Sequence, residues 1–217
     1  MTGRLVAWLV FVGAFIAIAY SSRAAGGEPD EDVLYKYGTA VGGLVQYAIV
    51  LLIVLWITRG PQQRDLLALR APRSWGAAMG WSLLVIFAIY VVSAIAEPFL
   101  DPGEEQGLTP DSWEPAHAWA YAVNFVVIAG VAPIVEELMF RGAGYSLLAR
   151  FGRIVAIVGT GVSFGLIHGL VEGLLILAAF GIGLAWLRAK TASVYPCIAV
   201  HSLFNAIALV VAVTVTT

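Results

Sequence analysis

The strongest constraint on the fold is a series of apolar stretches, each close to the ~20 residues that a helix needs to cross a bilayer. The chain is 60% hydrophobic and 12% charged, which leaves little polar surface for a soluble domain. Because backbone groups in lipid must be paired within their own segment, we expect an all-α fold, a polytopic transmembrane helix bundle of about seven spans. The predicted helices lie at 4–21, 38–58, 75–96, 117–149, 153–170, 173–188 and 194–214.

The distribution of charge predicts the orientation of this bundle. Lys and Arg favour cytoplasmic loops, and an arrangement with the N-terminus inside and the C-terminus outside leaves only Arg23 and Lys36 on the outer side. The balance of 12 basic to 14 acidic residues gives no electrostatic reason to expect nucleic-acid binding. No soluble partner is implied, and the expected partner at this point is membrane lipid.

The chemistry-bearing residues concentrate in the second half of the chain. We predict one integral membrane domain in two parts: N-terminal helices and loops without a recognised motif at 1–116, and a core of four helices at 117–217 that carries the site. The first apolar stretch is interpreted as an uncleaved span rather than a signal peptide. Cys197 is the only cysteine, so no intramolecular disulfide can form and a packing role is expected. The oligomeric state cannot be derived from the sequence.

Two adjacent glutamates, Glu136 and Glu137, interrupt the apolar span 117–149. Glu137 and Arg141 are four residues apart and share a helix face, which predicts an ion pair. Glu136 points elsewhere and follows Pro133, whose missing N–H leaves the carbonyl of Ala129 without its helical donor. We therefore expect Glu136 to be the less neutralised carboxylate. The alternative is that both acids form an ion-pair cluster with Arg141 near the cytoplasmic interface.

The next predicted helix carries Phe164 and His168 in the pattern FxxxH. A hairpin centred near Gly152 would set His168 opposite Glu136, because each lies sixteen residues, about 24 Å of helix, from that turn. A stripe of glycines at four-residue spacing runs beside His168 and predicts a close approach of another backbone. The stripe comprises Gly161, Gly165, Gly169 and Gly173.

The last helix offers a second polar pair, His201 and Asn205, in the pattern HxxxN. Their four-residue spacing puts both side chains on one face. Residues of this kind also serve to hydrogen-bond helices to one another, which is the structural alternative.

Together the three patterns resemble the ordered motifs of the CPBP family, which comprises the type II CAAX prenyl endopeptidases and the bacteriocin-processing, or Abi, membrane proteins. The likeness covers about 117–212. It implies an intramembrane endopeptidase of a prokaryotic cytoplasmic membrane, whose partner is a membrane-associated peptide or protein substrate. In such an enzyme Glu136 and His168 would prepare a water while His201 and Asn205 stabilise the oxyanion. The resemblance also gives supporting roles to Glu137, Arg141 and Phe164 beside them.

The requirements of peptide hydrolysis, namely a base, a held water and donors for the oxyanion, agree with these residue types. The expected mechanism is glutamate-dependent and without a cofactor. A zinc-dependent version would use Glu136, His168 and His201 as ligands with water in the fourth position. Other classes of function also fit the residues: a catalytically silent scaffold or bacteriocin-immunity-type protein, or a proton-coupled transporter. A prenylated tail and a leader peptide are both substrates that the sequence allows.

Overall fold

The computed structural model describes residues 2–26, 32–100, 110 and 113–215, and over these residues the chain is helical without strands. The all-α fold class is confirmed. The helices are α1 (Thr2–Ala24), α2 (Tyr37–Thr58), a short α3 (Gln63–Leu66), α4 (Trp75–Ala96), the long α5 (Pro115–Phe151), α6 (Arg153–Leu166), α7 (Leu174–Thr191) and α8 (Tyr195–Val215).

Six of these helices are long and apolar enough to cross a bilayer: α1, α2, α4, α5, α7 and α8. The predicted span at 153–170 is shorter than expected, because α6 ends at Leu166 after 14 residues. At 1.5 Å per residue it extends about 21 Å, less than the ~30 Å of a bilayer core. Gly169, with φ of 68°, lies in the turn that follows α6. The number of full crossings and the orientation of the bundle stay predictions.

Helix α5 departs from the single α-helix predicted at 117–149, because two π-helical segments interrupt it, Val127–Val131 and Leu138–Gly144. The second segment holds two glycines at close contacts. A Cβ on Gly142 would lie 3.1 Å from the Cα of Leu67, and one on Gly144 would overlap a tryptophan ring of α1. Segments of this kind are frequent at functional sites.

Side chains of other helices bond backbone carbonyls within the second π-helical segment. Trp8 of α1 donates its indole N–H to the carbonyl of Met139 at 3.0 Å. Arg188 of α7 donates its Nε–H to the carbonyl of Arg141 at 3.1 Å. A buried carbonyl without a hydrogen-bond donor costs up to several kcal/mol, and these side chains remove that cost. The same bonds join α5 to α1 and α7.

The first π-helical segment changes which carbonyl Pro133 leaves without a donor. With α-helical spacing it would be the carbonyl of Ala129, as predicted, but hydrogen bonds between residues five apart place that of Ile128 opposite Pro133. Asn205 of α8 donates its side-chain N–H to the carbonyl of Ile128 at 2.9 Å. The sequence does not reveal the π-helical register, so it did not identify Ile128 as the carbonyl that Asn205 bonds.

The glycine stripe does bring backbones together, as predicted. A Cβ on Gly161 would lie 2.5 Å from the backbone nitrogen of Ile182, and one on Gly165 would lie 2.9 Å from that of Ala178, both in α7. Helices α6 and α7 therefore form the tightest antiparallel pair of the bundle. One hydrophobic core joins them to α1, α2, α4, α5 and α8, with the buried side chains of Trp8, Val54, Phe140, Phe164, Leu184 and Val200 among its members.

Candidate active site

A cavity of about 460 Å³ lies among α2, α5, α6, α7 and α8. Four residues predicted from the sequence line it together: Glu136, His168, His201 and Asn205. The hairpin argument set His168 opposite Glu136, and both side chains line this cavity. Phe164, from the same motif as His168, lines the cavity as well.

The rest of the lining is mainly apolar and follows α8 away from the polar residues. Phe204, Ala208 and Ala212 continue the wall over about three turns beyond His201. This end of α8 is remote from Tyr195, where the helix begins beside the basic α7 terminus. The cavity therefore combines a polar end and an apolar end.

The ion pair predicted between Glu137 and Arg141 is present and fully buried. Arg141 donates a guanidinium N–H to Glu137 Oε1 at 2.7 Å, and a second to the carbonyl of Gly181 at 2.9 Å. Its guanidinium carbon lies 4.6 Å from the centroid of the Phe164 ring. Glu137 Oε2 and Arg141 Nε have no hydrogen-bond partner. Neither side chain lines the cavity, so this ion pair lies outside the cavity wall.

Glu136 has different surroundings from its neighbour. Its side chain reaches the cavity, and its Oε1 accepts a hydrogen bond from the hydroxyl of Tyr47 at 2.9 Å. Its Oε2 lies 3.8 Å from Nε2 of His201, beyond hydrogen-bond distance. No guanidinium or ammonium group is recorded against it among the described residues, which agrees with the prediction of a less neutralised carboxylate.

His201 connects the two glutamates. Its Nδ1 lies 2.9 Å from Glu137 Oε1, and because a carboxylate held by Arg141 can only accept, Nδ1 carries the proton. Its Nε2 is left facing Glu136. Aromatic rings of Phe164 and Phe180 pack against the imidazole, with centroid distances of 5.5 and 5.1 Å. The ring orientation is therefore fixed by one hydrogen bond and two edge contacts.

His168 lies just beyond the end of α6, not within a helix as predicted. Its Nδ1 is 2.8 Å from the carbonyl of Phe164, one of the last carbonyls of α6 without a helical partner. A carbonyl only accepts, so Nδ1 again carries the proton and Nε2 is the nitrogen without a recorded partner. The Phe164 and His168 rings are in contact, with centroids 4.9 Å apart and ring planes inclined at 58°.

Asn205 shares the cavity with His201, as their spacing predicts. One of its two amide N–H groups is bonded to Ile128, so one donor remains for the cavity. The bond to Ile128 joins α8 to α5, which is the helix-to-helix bonding that the sequence left open as the structural alternative.

Tyr47 is the lining residue that sequence reasoning missed. It belongs to α2, in the part of the chain for which no motif was recognised. A signal was present, since Tyr in membrane proteins concentrates at the interfaces, whereas Tyr47 and its neighbour Gln46 lie near the middle of a predicted span.

The zinc alternative can be tested against the geometry. Within the described part of the chain, no three His, Cys, Asp or Glu side chains are grouped so that they could hold a metal ion. Glu136, His168 and His201 all lie in that part, and they do not form such a group. The zinc-dependent version and the version without a cofactor both stay predictions.

Comparison with known proteins identifies the family that this site resembles. Residues 118–207 match the model of the family described as type II CAAX prenyl endopeptidase Rce1-like, and all three motifs fall within that range. The chain is 25% identical over 196 residues to the protein named "Putative membrane peptidase YdiL" of Bacillus subtilis (strain 168), a match that covers 88% of this chain and 78% of that protein. No solved structure matches significantly.

The resemblance predicted from the motifs is thereby confirmed for residues 118–207. Together with six apolar helices, it identifies an integral multi-pass membrane protein. Both comparisons support a protease. The bacterial source of the relative agrees with the prokaryotic membrane expected from the sequence.

Proposed function

We propose that this protein is a glutamate-dependent intramembrane endopeptidase, which hydrolyses a peptide bond of a membrane-associated substrate. One observation carries the proposal: Glu136, His168, His201 and Asn205 line a single cavity inside an otherwise apolar bundle. Polar and ionisable groups at such positions are expensive, and their convergence is most simply explained by chemistry in the cavity.

Glu136 is proposed to be the general base. It is the cavity-facing carboxylate without a cationic side chain bonded to it, and its Oε2 accepts no recorded hydrogen bond from the protein. That oxygen can take a proton from an attacking water and return it to the amine that leaves when the C–N bond breaks.

His168 is proposed to hold the water. With its Nδ1–H donated to the carbonyl of Phe164, a neutral His168 has an Nε2 lone pair that can accept a proton of water as a hydrogen bond. A water bonded to both Nε2 of His168 and Oε2 of Glu136 would have an oxygen lone pair directed at a substrate carbonyl. This is the orientation that hydrolysis requires.

His201 and Asn205 are proposed to stabilise the oxyanion. Since Nδ1 of His201 already donates to Glu137, Nε2 can donate only when the ring is an imidazolium. Donors of this kind in a water-poor site account for about 3 kcal/mol of transition-state stabilisation each.

The supporting residues are proposed to keep the His201 ring in place. Glu137 accepts from both Arg141 and His201, and Phe164 packs on both histidine rings and on the guanidinium. The substrate is proposed to lay an apolar portion along the cavity wall of α8, because Phe204, Ala208 and Ala212 offer no polar groups there. That apolar portion would be the prenyl group of a CAAX tail or a peptide segment of a leader peptide.

A reconstitution experiment tests the proposal. Purified protein in liposomes is supplied with farnesylated CAAX peptides and with membrane-anchored leader peptides, and products are identified by mass spectrometry. Cleavage by the native chain is expected, with a rate at least about 100-fold lower for the Glu136→Gln variant. Stable binding of these peptides without cleavage would favour the catalytically silent scaffold, and a proton flux across the liposome without cleavage would favour the transporter.

Metal removal tests the cofactor part of the proposal. Protein treated with a strong chelator, and shown by elemental analysis to contain no zinc, is expected to cleave at the rate of untreated protein, because Glu136 and the histidines activate water without a Lewis acid. Loss of activity that only added zinc restores would contradict this mechanism and revive the zinc-dependent version. Addition of calcium or magnesium provides the matched control for ionic effects on the liposomes.

A further inference from the structure

The Glu136 carboxylate is held by a residue outside the range that matches the family model. Tyr47 lies in α2, 89 residues before Glu136, and donates its hydroxyl proton to Oε1 at 2.9 Å. Both side chains line the cavity. Val50 and Val54, on the following turns of α2, are buried in the main core, so the helix that presents Tyr47 is itself fixed.

We propose that Tyr47 is a positioning residue, which ties Oε1 of Glu136 and thereby aims Oε2 at the cavity. Among the described residues, its hydroxyl makes the one recorded hydrogen bond to this carboxylate. A carboxylate on a flexible side chain can rotate and exchange its two oxygens. A donor on one oxygen removes that freedom, and the other oxygen then stays where a water can meet it.

The chemical nature of the donor is as important as its position. Arg141 neutralises Glu137 with a full positive charge, whereas the phenol of Tyr47 is an uncharged donor. An uncharged donor orients a carboxylate and lowers its basicity much less than a cation does. The pairing of each glutamate therefore explains why two adjacent carboxylates on α5 have different tasks.

The other titratable groups near Glu136 do not supply the same restraint. His201 of α8 faces Oε2 at 3.8 Å, which is too long for a hydrogen bond. His168, at the end of α6, lines the cavity but is bonded to the carbonyl of Phe164. Glu137 and Arg141, on α5 itself, are bonded to each other. Tyr47 of α2 is the group that fixes Oε1.

The Tyr47→Phe variant tests this inference, which rests on the proposed function for its kinetic part. The ring stays in place and only the hydroxyl is removed. In the native chain, the infrared carboxylate band of Glu136 is identified as the band that Glu136→Gln removes. We expect Tyr47→Phe to shift that band in detergent-solubilised full-length protein without any substrate. We also expect kcat to fall about 10- to 100-fold with KM little changed.

Tyr20→Phe is the matched control, because Tyr20 also makes one long-range hydrogen bond through its hydroxyl, to the carbonyl of Leu170 at 3.0 Å, and does not line the cavity. It should leave both the Glu136 band and kcat as in the native chain. Incorporation of 4-aminophenylalanine at position 47 restores a donor and should recover most of the lost kcat. A merely structural effect would not be rescued in this way.

The possible outcomes separate this inference from the proposed function. An unshifted Glu136 band in Tyr47→Phe overturns the inference even if the protein is a protease. A shifted band with native kcat in Tyr47→Phe also overturns it, because the bond would then exist without positioning the base. A shifted band in a protein that cleaves no peptide at all leaves Tyr47 as the residue that orients Glu136 and contradicts the protease function instead.

Discussion

Replacing Glu136 by Gln is expected to lower kcat/KM for peptide cleavage by about 10² to 10⁴-fold, the range that general acid–base groups contribute. Glutamine has the same shape and can still accept the hydrogen bond from Tyr47 through its amide oxygen, so the fold should persist. It has no carboxylate lone pair with which to take a proton from water. Cleavage rates in liposomes and thermal unfolding in detergent together measure both effects.

The control for this variant is Glu114→Gln, at the start of α5 and far along the helix from the cavity. Glu114 accepts from the His117 ring at 2.9 Å, and both side chains are exposed. The same change of charge is made there without touching the site, so activity should stay at the native level. If Glu136→Gln retained native activity, Glu136 would not be the base, and His168 would become the candidate.

Local periodicity was sufficient to predict the contacts that lie within one helix or across one hairpin. Glu137 and Arg141 are four residues apart on α5, and their ion pair follows from helix geometry alone. Glu136 and His168 each lie sixteen residues from the turn at Gly152, which has φ of 119°, and both line the cavity, although His168 lies beyond the end of α6. In such cases the sequence separation already determines the distance in space.

Local periodicity does not predict contacts between helices that are distant in the sequence. Tyr47 and Glu136 are 89 residues apart, and no periodicity within α2 relates one to the other. The bond from His201 to Glu137 across 64 residues is of the same kind. It changes the interpretation of His201, because a ring whose Nδ1–H is already donated can serve the oxyanion only as an imidazolium.

The π-helical segments of α5 are the second feature that the sequence concealed. The apolar residues of α5 occupy the same sequence positions whether its backbone hydrogen bonds join residues four apart, as in an α-helix, or five apart, as in a π-helix. Only the partners differ, as the carbonyl of Ile128 bonded by Asn205 demonstrates. The cost of the irregular backbone is offset by side chains from α1, α7 and α8, and these lie in segments that local reasoning treats separately.

Replacing Arg141 by Met is expected to lower the free energy of unfolding by about 3–5 kcal/mol, the largest stability effect that this structure predicts. Methionine fills a similar volume, but the Glu137 carboxylate, with none of its surface exposed, would lose its guanidinium partner. The carbonyl of Gly181 would lose its donor as well. His201 would be the remaining partner of a buried negative charge. Reversible unfolding of the purified protein in mixed micelles measures the difference.

The double variant Glu137→Gln with Arg141→Met distinguishes a buried charge from a packing defect. Both variants carry the same methionine, so a loss caused by poor packing would persist in the double variant. A loss caused by the unpaired carboxylate should be largely recovered, because glutamine removes the charge and can still accept from Nδ1 of His201. A double variant no more stable than Arg141→Met alone would mean that Arg141 acts through its contacts with Phe164 and Gly181, and not through the charge of Glu137.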